Sequence, residues 1–116
     1  MLTFNLKKEW FKKIKSGEKT HEYREYKPYW RKRLENYIGD DFSATRLRFG
    51  SRIIIKKPYY IIFSCGYSSE KVKSKRLKAR LISIRLIDGR ETDLKICKAV
   101  YDIEFELIKN DKYINY

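Results

Sequence analysis

Lys19, Glu22 and Arg24 stand within six consecutive positions, inside the stretch GEKTHEYRE that runs from Gly17 to Glu25. A lysine ammonium is a mobile point charge, and an arginine guanidinium is a flat fork of donors that fits a phosphate or a base edge. A glutamate accepts from an exocyclic amine, as carboxylates do from cytosine N4. Held in one cleft, the three could grip a phosphate and read one nucleobase. The same types also suit RNA cleavage. A desolvated Lys19 would act as base, or Lys19 and Arg24 would stabilise a phosphorane while Glu22 handles a proton. The plain structural alternative is a Glu22–Arg24 salt bridge at a strand mouth with Lys19 in solvent, and exposed pairs of that kind contribute little.

The elements around the stretch decide which side chains meet. LTFNL (residues 2–6) alternates like a short strand. The following KKEWFKKIKSG puts Leu6, Trp10, Phe11 and Ile14 on one helical face, and Gly17 stands where such a helix ends. THEYRE then alternates as a strand, so Thr20, Glu22 and Arg24 share one face while His21, Tyr23 and Glu25 share the other. His21 and Glu25 are accordingly read as bystanders. PYWRKRLENYIG carries Trp30, Leu34, Tyr37 and Ile38 at helical spacing, with Pro28 in the first turn and Gly39 at the end. Arg31, Lys32 and Arg33 lie on its flank.

After residue 40 the pattern turns to strands: RLRFG, SRIIIKK, the doubly buried run PYYIIFSCG, RLKARLISIRLI with a hairpin signal at DGR, and VYDIEFELIK. Between them DDFSAT is a polar connection and YSSEKVKSK a basic loop, and NDKYINY is a short tail. The order predicts a single α+β domain over residues 1–116, with a curved or closed, mostly antiparallel sheet and two or more flanking helices.

Composition narrows the partners. The 116 residues hold 28 Lys plus Arg against 15 Asp plus Glu, a net charge of +13. Residues 1–40 contain eleven basic and six acidic side chains, residues 41–80 eleven and two, residues 81–116 six and seven. Such concentration suits a polyanion-binding face, where displaced counterions supply affinity. Lys71, Lys73, Lys75 and Arg76, with Arg31, Lys32 and Arg33, are the expected phosphate contacts. Tyr23, Tyr26, Trp30, Phe63 and Tyr67 are candidate stacking surfaces, worth roughly 1–3 kcal/mol per base, although for Tyr23 and Trp30 a place in the core is the favoured reading. A single histidine and two cysteines, Cys65 and Cys97, lack the spacing of a zinc site, and no acidic cluster marks a place for the carboxylate-bound magnesium that stays open, so no metal or other cofactor is expected; the cysteines read as small core residues. No apolar run approaches the roughly 20 residues of a membrane span, and the first residues lack a secretory pattern. The expectation is a cytoplasmic protein with no membrane partner, its oligomeric state open.

GEKTHEYR also fits G-x-K-x-x-E-x-R, through Gly17, Lys19, Glu22 and Arg24. That pattern, with WFKKIKSG before it, KPYWRKRL after it and IIFSCGYS further on, resembles the ASCH domains of the PUA-like superfamily across roughly the first two thirds of the chain. The resemblance implies a PUA-like β-barrel with flanking helices, the motif at the barrel mouth, and RNA as partner. Some members of the family act on RNA or on modified nucleosides. In the relatives that hydrolyse an acylated cytidine, a lysine is followed three residues later by threonine. Here that position is Glu22, and the nearby threonine is Thr20, so the resemblance points to an RNA-binding protein ahead of a ribonuclease or a modified-nucleoside hydrolase. A basic protein-interaction or regulatory factor is the third class. It would depend on overall charge and be indifferent to Glu22.

Overall fold

The computed structural model describes residues 2–39, 42, 48–66 and 75–108. Strand β1 (Leu2–Leu6) buries Leu2, Phe4 and Leu6 on one face, as period-two alternation requires. Helix α1 (Lys8–Lys15) buries Phe11 and Ile14, and places Lys12, Lys13 and Lys15 in its last turn, where cations favour the helix dipole. The Gly17 N–H donates to the Ile14 carbonyl at φ 86°, a left-handed conformation that a side chain resists. Strand β2 (His21–Glu25) follows. Helix α2 (Pro28–Ile38) then starts on Pro28 and stops at Gly39, also left-handed at φ 71°. The Tyr59 hydroxyl donates to the Ile38 carbonyl at 3.1 Å, satisfying an orphan acceptor at the end of α2.

Strands β3 (Arg52–Ile54), β4 (Tyr60–Cys65), β5 (Lys75–Asp88) and β6 (Ala99–Leu107) complete a six-stranded sheet. Its order is β1-β4-β5-β6-β2, and β3 also lies beside β5. The long β5 holds β4 along its first part and β3 along its second, with β6 on its other edge. β1 and β4 are parallel and the remaining pairs antiparallel. A bulge between Leu81 and Ser83 sharpens the bend of β5, and the sheet curls into a half-barrel. Its concave face carries Phe4, Ile61, Phe63, Leu77, Leu81, Ile84, Tyr101, Ile103 and Phe105, with Leu34 and Ile38 of α2 and Ile14 of α1 joining the same cluster. Phe63 sits at its centre, its ring 4.6 Å from that of Phe105 and 5.9 Å from that of Phe4.

Several expectations are corrected by this architecture. Phe63 is fully buried, so it is core and offers no stacking surface. DGR does not make a tight hairpin. Gly89–Glu91 forms one 3₁₀ turn in a connection that runs to Lys98 before β6 begins, although Asp88 still pairs with Ala99. Cys65 is half-buried but Cys97 is exposed in that connection, outside the core. Within RLRFG, the described part makes one bridge, Phe49 with Leu86. The loop YSSEKVKSK up to Ser74, the connection DDFSAT apart from Phe42, and the tail from residue 109 lie outside the described residues. Among the described residues no helix is long and apolar enough to cross a membrane.

The burial pattern predicts a sharp contrast between two phenylalanines. Phe63→Ala should lower unfolding free energy in urea by about 3–5 kcal/mol. Phe49→Ala, at a side chain 65% exposed, should change it by no more than about 0.5 kcal/mol.

Candidate functional site

β1 and β2 end the strand order, and the space between them is bridged by side chains. Glu22 lies across from Ile103 and Arg24 across from Tyr101, so both project from the core face of β2. Glu22 is buried at 6% exposure, and an isolated carboxylate there would be prohibitive. It is neutralised from two sides. Oε1 accepts the Tyr23 N–H at 3.1 Å and faces Lys19 Nζ at 3.5 Å, while Oε2 accepts from Arg24 Nη2 at 3.0 Å.

Arg24 in turn donates to the Asn5 carbonyl on β1 at 3.1 Å, and its guanidinium lies over the rings of Phe4 (5.2 Å) and Trp30 (4.9 Å). Lys19 is set in place by its own backbone, whose N–H donates to the Lys13 carbonyl. Its ammonium pairs with Asp93 and lies over the rings of Trp10 (4.7 Å) and Tyr23 (5.2 Å). The result is a chain of alternating charge, Asp93–Lys19–Glu22–Arg24, ending on a main-chain carbonyl of the opposite strand.

A cleft of about 430 Å³ opens over this chain. Trp10, Tyr23 and Trp30 supply aromatic lining, Lys7 and Lys27 join the cations, and Asp93, Leu94 and Ile96 reach in from the β5–β6 connection. The lining holds four basic side chains and three acidic ones (Glu22, Glu25 and Asp93), so the cleft is close to neutral. The positive excess sits elsewhere. Between Asp41 and Asp88 the sequence carries twelve Lys and Arg and a single acidic residue, Glu70.

The motif's two cations and one carboxylate therefore come together, Glu22 and Arg24 as the strand alternation required, but Lys19 is not in solvent, since only 10% of its side chain is exposed. Glu22 differs from the expected free reader. A carboxylate offers about four acceptor directions, and three are occupied here, which leaves one on Oε2.

Among the phosphate-contact candidates, Arg31 and Lys32 are exposed on α2, Arg31 within 4.0 Å of Glu35. Arg33 is half-buried and packs over Tyr29 and Trp30. Lys75 and Arg76 are exposed at the start of β5. Lys75 lies across from Cys65, and Cys65 from Leu6, which lines the cleft. Two strand spacings, about 10 Å, therefore separate it from the β1 end of the cleft. Lys71, Lys73 and Tyr67 lie outside the described residues. Tyr26 is exposed, edge-on to Tyr101.

Trp10 and Asp93 were not singled out by the sequence reading. Trp10 reads there as one more core residue of α1. Asp93 is 74 positions from Lys19 with no local pattern to join them. His21 is also more than a bystander. Its Nδ1 lies 2.6 Å from Asp102 Oδ1, and the other Asp102 oxygen accepts from Arg85 at 2.9 Å, so the outer face of β2 is fastened to β6 and β5. Glu25 pairs with Lys98 at 3.3 Å.

Comparison of the chain with protein-family models, with curated proteins and with solved structures finds no match in any of the three. Geometry and sequence pattern therefore carry the functional argument.

Burial pushes the Tyr23 phenol above its ordinary value of 10.0, and the nearby carboxylates of Asp102 and Asp93 push the same way. A group that holds its proton more tightly when folded stabilises the fold below its unfolded pKa, and that stability is lost as pH rises through the folded pKa. Stability should therefore decline above about pH 10, less so in Tyr23→Phe. Ultraviolet titration of the phenols in wild type and Asp93→Asn should show one tyrosine moving back toward its ordinary range when Asp93 is neutralised.

Proposed function

We propose that the chain is an RNA- or nucleotide-binding domain of the ASCH, PUA-like kind, with the Lys19–Glu22–Arg24 cleft as its recognition site. The observation that carries this reading is the buried Glu22 carboxylate, which aims one ammonium and one guanidinium into an aromatic-lined cleft. A purely structural ion pair has no need of a 430 Å³ opening above it. Glu22 acts as organiser of the two cations, with its remaining acceptor direction available to a base amine. Stacking surface comes from Trp10, Tyr23 and Trp30, and the Arg24 guanidinium, already layered on Trp30, offers the kind of plane on which bases stack. Lys75 and Arg76 at the start of β5, with Lys71 and Lys73 from the same basic stretch of sequence, supply further phosphate contacts beside the nearly neutral cleft. The host compartment in this reading is the cytoplasm.

Binding is favoured over hydrolysis by one specific feature. No serine, threonine or cysteine is among the described residues that line the main cleft, so the threonine of the relatives that hydrolyse an acylated cytidine has no counterpart beside Lys19. Thr20 instead lines neighbouring hollows.

The chain's two tryptophans both line the cleft, so intrinsic indole fluorescence reports on it directly. Titration with short single-stranded RNA should quench that fluorescence, and Lys19→Met should weaken binding about tenfold or more. Equal affinity in the variant would contradict the reading. Lys75→Gln with Arg76→Gln should make the salt dependence shallower by about 0.7 in slope per contact removed. Incubation of the protein with labelled RNA and with N4-acylated cytidine should give no turnover. Turnover that vanishes in Lys19→Ala would establish the hydrolase instead.

A further inference from the structure

Asp93 reaches the cleft from a connection shaped to deliver it. Gly89 is packed so closely that a Cβ there would fall 2.6 Å from the Ile96 side chain and 2.7 Å from the carbonyls of Ile96 and Lys98. The Thr92 hydroxyl donates to the Gly89 carbonyl at 2.8 Å and accepts from the Leu94 N–H at 3.2 Å. Asp93 therefore sits at the apex of a braced turn, its side chain 39% exposed, facing an ammonium that is 10% exposed. Glu22 contacts that ammonium from the buried side, and the rings of Trp10 and Tyr23 lie against it. Lys19 already has its structural counter-charge in Glu22, so Asp93 is a second carboxylate on one cation, at its more exposed approach. The Lys19–Asp93 pair also stands between two hollows. The main cleft and a smaller one of about 280 Å³ beside Thr20 and His21 share it in their linings.

We propose that Asp93 occupies the seat of a ligand's phosphate, and that the cleft takes phosphate-bearing nucleotides, which enter by displacing this carboxylate from Lys19. A phosphate outcompetes a carboxylate for that position because it carries more charge and more acceptor oxygens. Lys7 and Lys27 line the same cleft and can add further donors. Displacement asks little of the fold, since the Asp93 side chain is partly in water and Glu22 keeps Lys19 in place. The consequence is selection: a nucleoside, lacking the anion, gains nothing at Lys19, whereas a nucleotide or an RNA strand does. The inference rests on the nucleotide reading of the cleft for its ligand class, and the seat itself is testable without it.

The test titrates inorganic phosphate, then the four ribonucleosides and their 5′-monophosphates, into wild type, Asp93→Asn, Lys19→Met and Glu25→Gln. Glu25→Gln removes the same charge from another point of the cleft lining and so controls for general electrostatics. Asp93→Asn should bind phosphate and the monophosphates about tenfold more tightly than wild type. It should leave nucleoside affinity unchanged, and Glu25→Gln should give a much smaller gain. Lys19→Met introduced into Asp93→Asn should abolish the gain. Weaker or equal phosphate binding by Asp93→Asn would overturn the proposal and make Asp93 a positioning residue for Lys19. An equal gain from Glu25→Gln would overturn it too. A phosphate gain without any nucleoside or nucleotide selectivity would leave the seat standing and sink the nucleotide reading. Asp93→Ser, checked by its thermal melt, repeats the test should Asp93→Asn disturb the turn.

Discussion

A carboxylate on the concave face of a small curled sheet has to be neutralised where it stands, and the surroundings of Glu22 follow from that constraint. Its charge recruits Arg24 two residues along the same strand face and Lys19 from the turn before it. Arg24, once held there, reaches the Asn5 carbonyl on β1, and thereby links the two strands that end the sheet order. Replacing one partner of such a cluster is costly because it strands a buried charge, whereas the intact cluster adds little net stability over apolar packing. Its presence therefore calls for a reason other than stability, and the open cleft above it provides one.

The aromatic residues serve the same constraint. Phe4, Trp30, Trp10 and Tyr23 give Arg24 and Lys19 apolar and quadrupolar surface to lie against, so the cations stay oriented in a partly dry setting. Those rings are also where a base could stack, which ties the stability of the site to its recognition chemistry. The bulk of the positive charge is carried separately, on the segment from β3 through β5. A division of labour follows. In the proposed reading, the nearly neutral, geometrically defined cleft would discriminate, and the separate excess of Lys and Arg would attract polyanions without sequence preference.

Much of this was legible in the chain because local rules governed it. Alternation along HEYRE put Glu22 and Arg24 together, Gly17 and Gly39 marked the helix ends through their left-handed backbone, and the continuous apolar run at 60–65 announced a doubly buried strand. What escaped depended on contacts between distant segments. The parallel pairing of β1 with β4 leaves no mark in either strand. The ten residues from Gly89 to Lys98 carry a DGR sequence that suggests a tight turn, yet Ile96 packing on Gly89 and the Thr92 bonds hold a longer excursion that brings Asp93 to Lys19. Asp102 faces away from the core by alternation but is buried because His21 and Arg85 from neighbouring strands cover it. Cys97 is exposed for the same reason that Asp93 is delivered: both sit on that connection.

The central claim is that the cleft over the Glu22 cluster receives the ligand. It is tested most directly by the indole N–H signals of Trp10 and Trp30 in a nitrogen–proton correlation spectrum during titration with a short single-stranded RNA. Both indole signals should shift together and saturate with the same midpoint as the backbone amides of Lys19 and Arg24. Indoles that stay still while the amides of Lys75, Arg76 and the exposed face of α2 move would place binding on the basic surface alone and contradict the account.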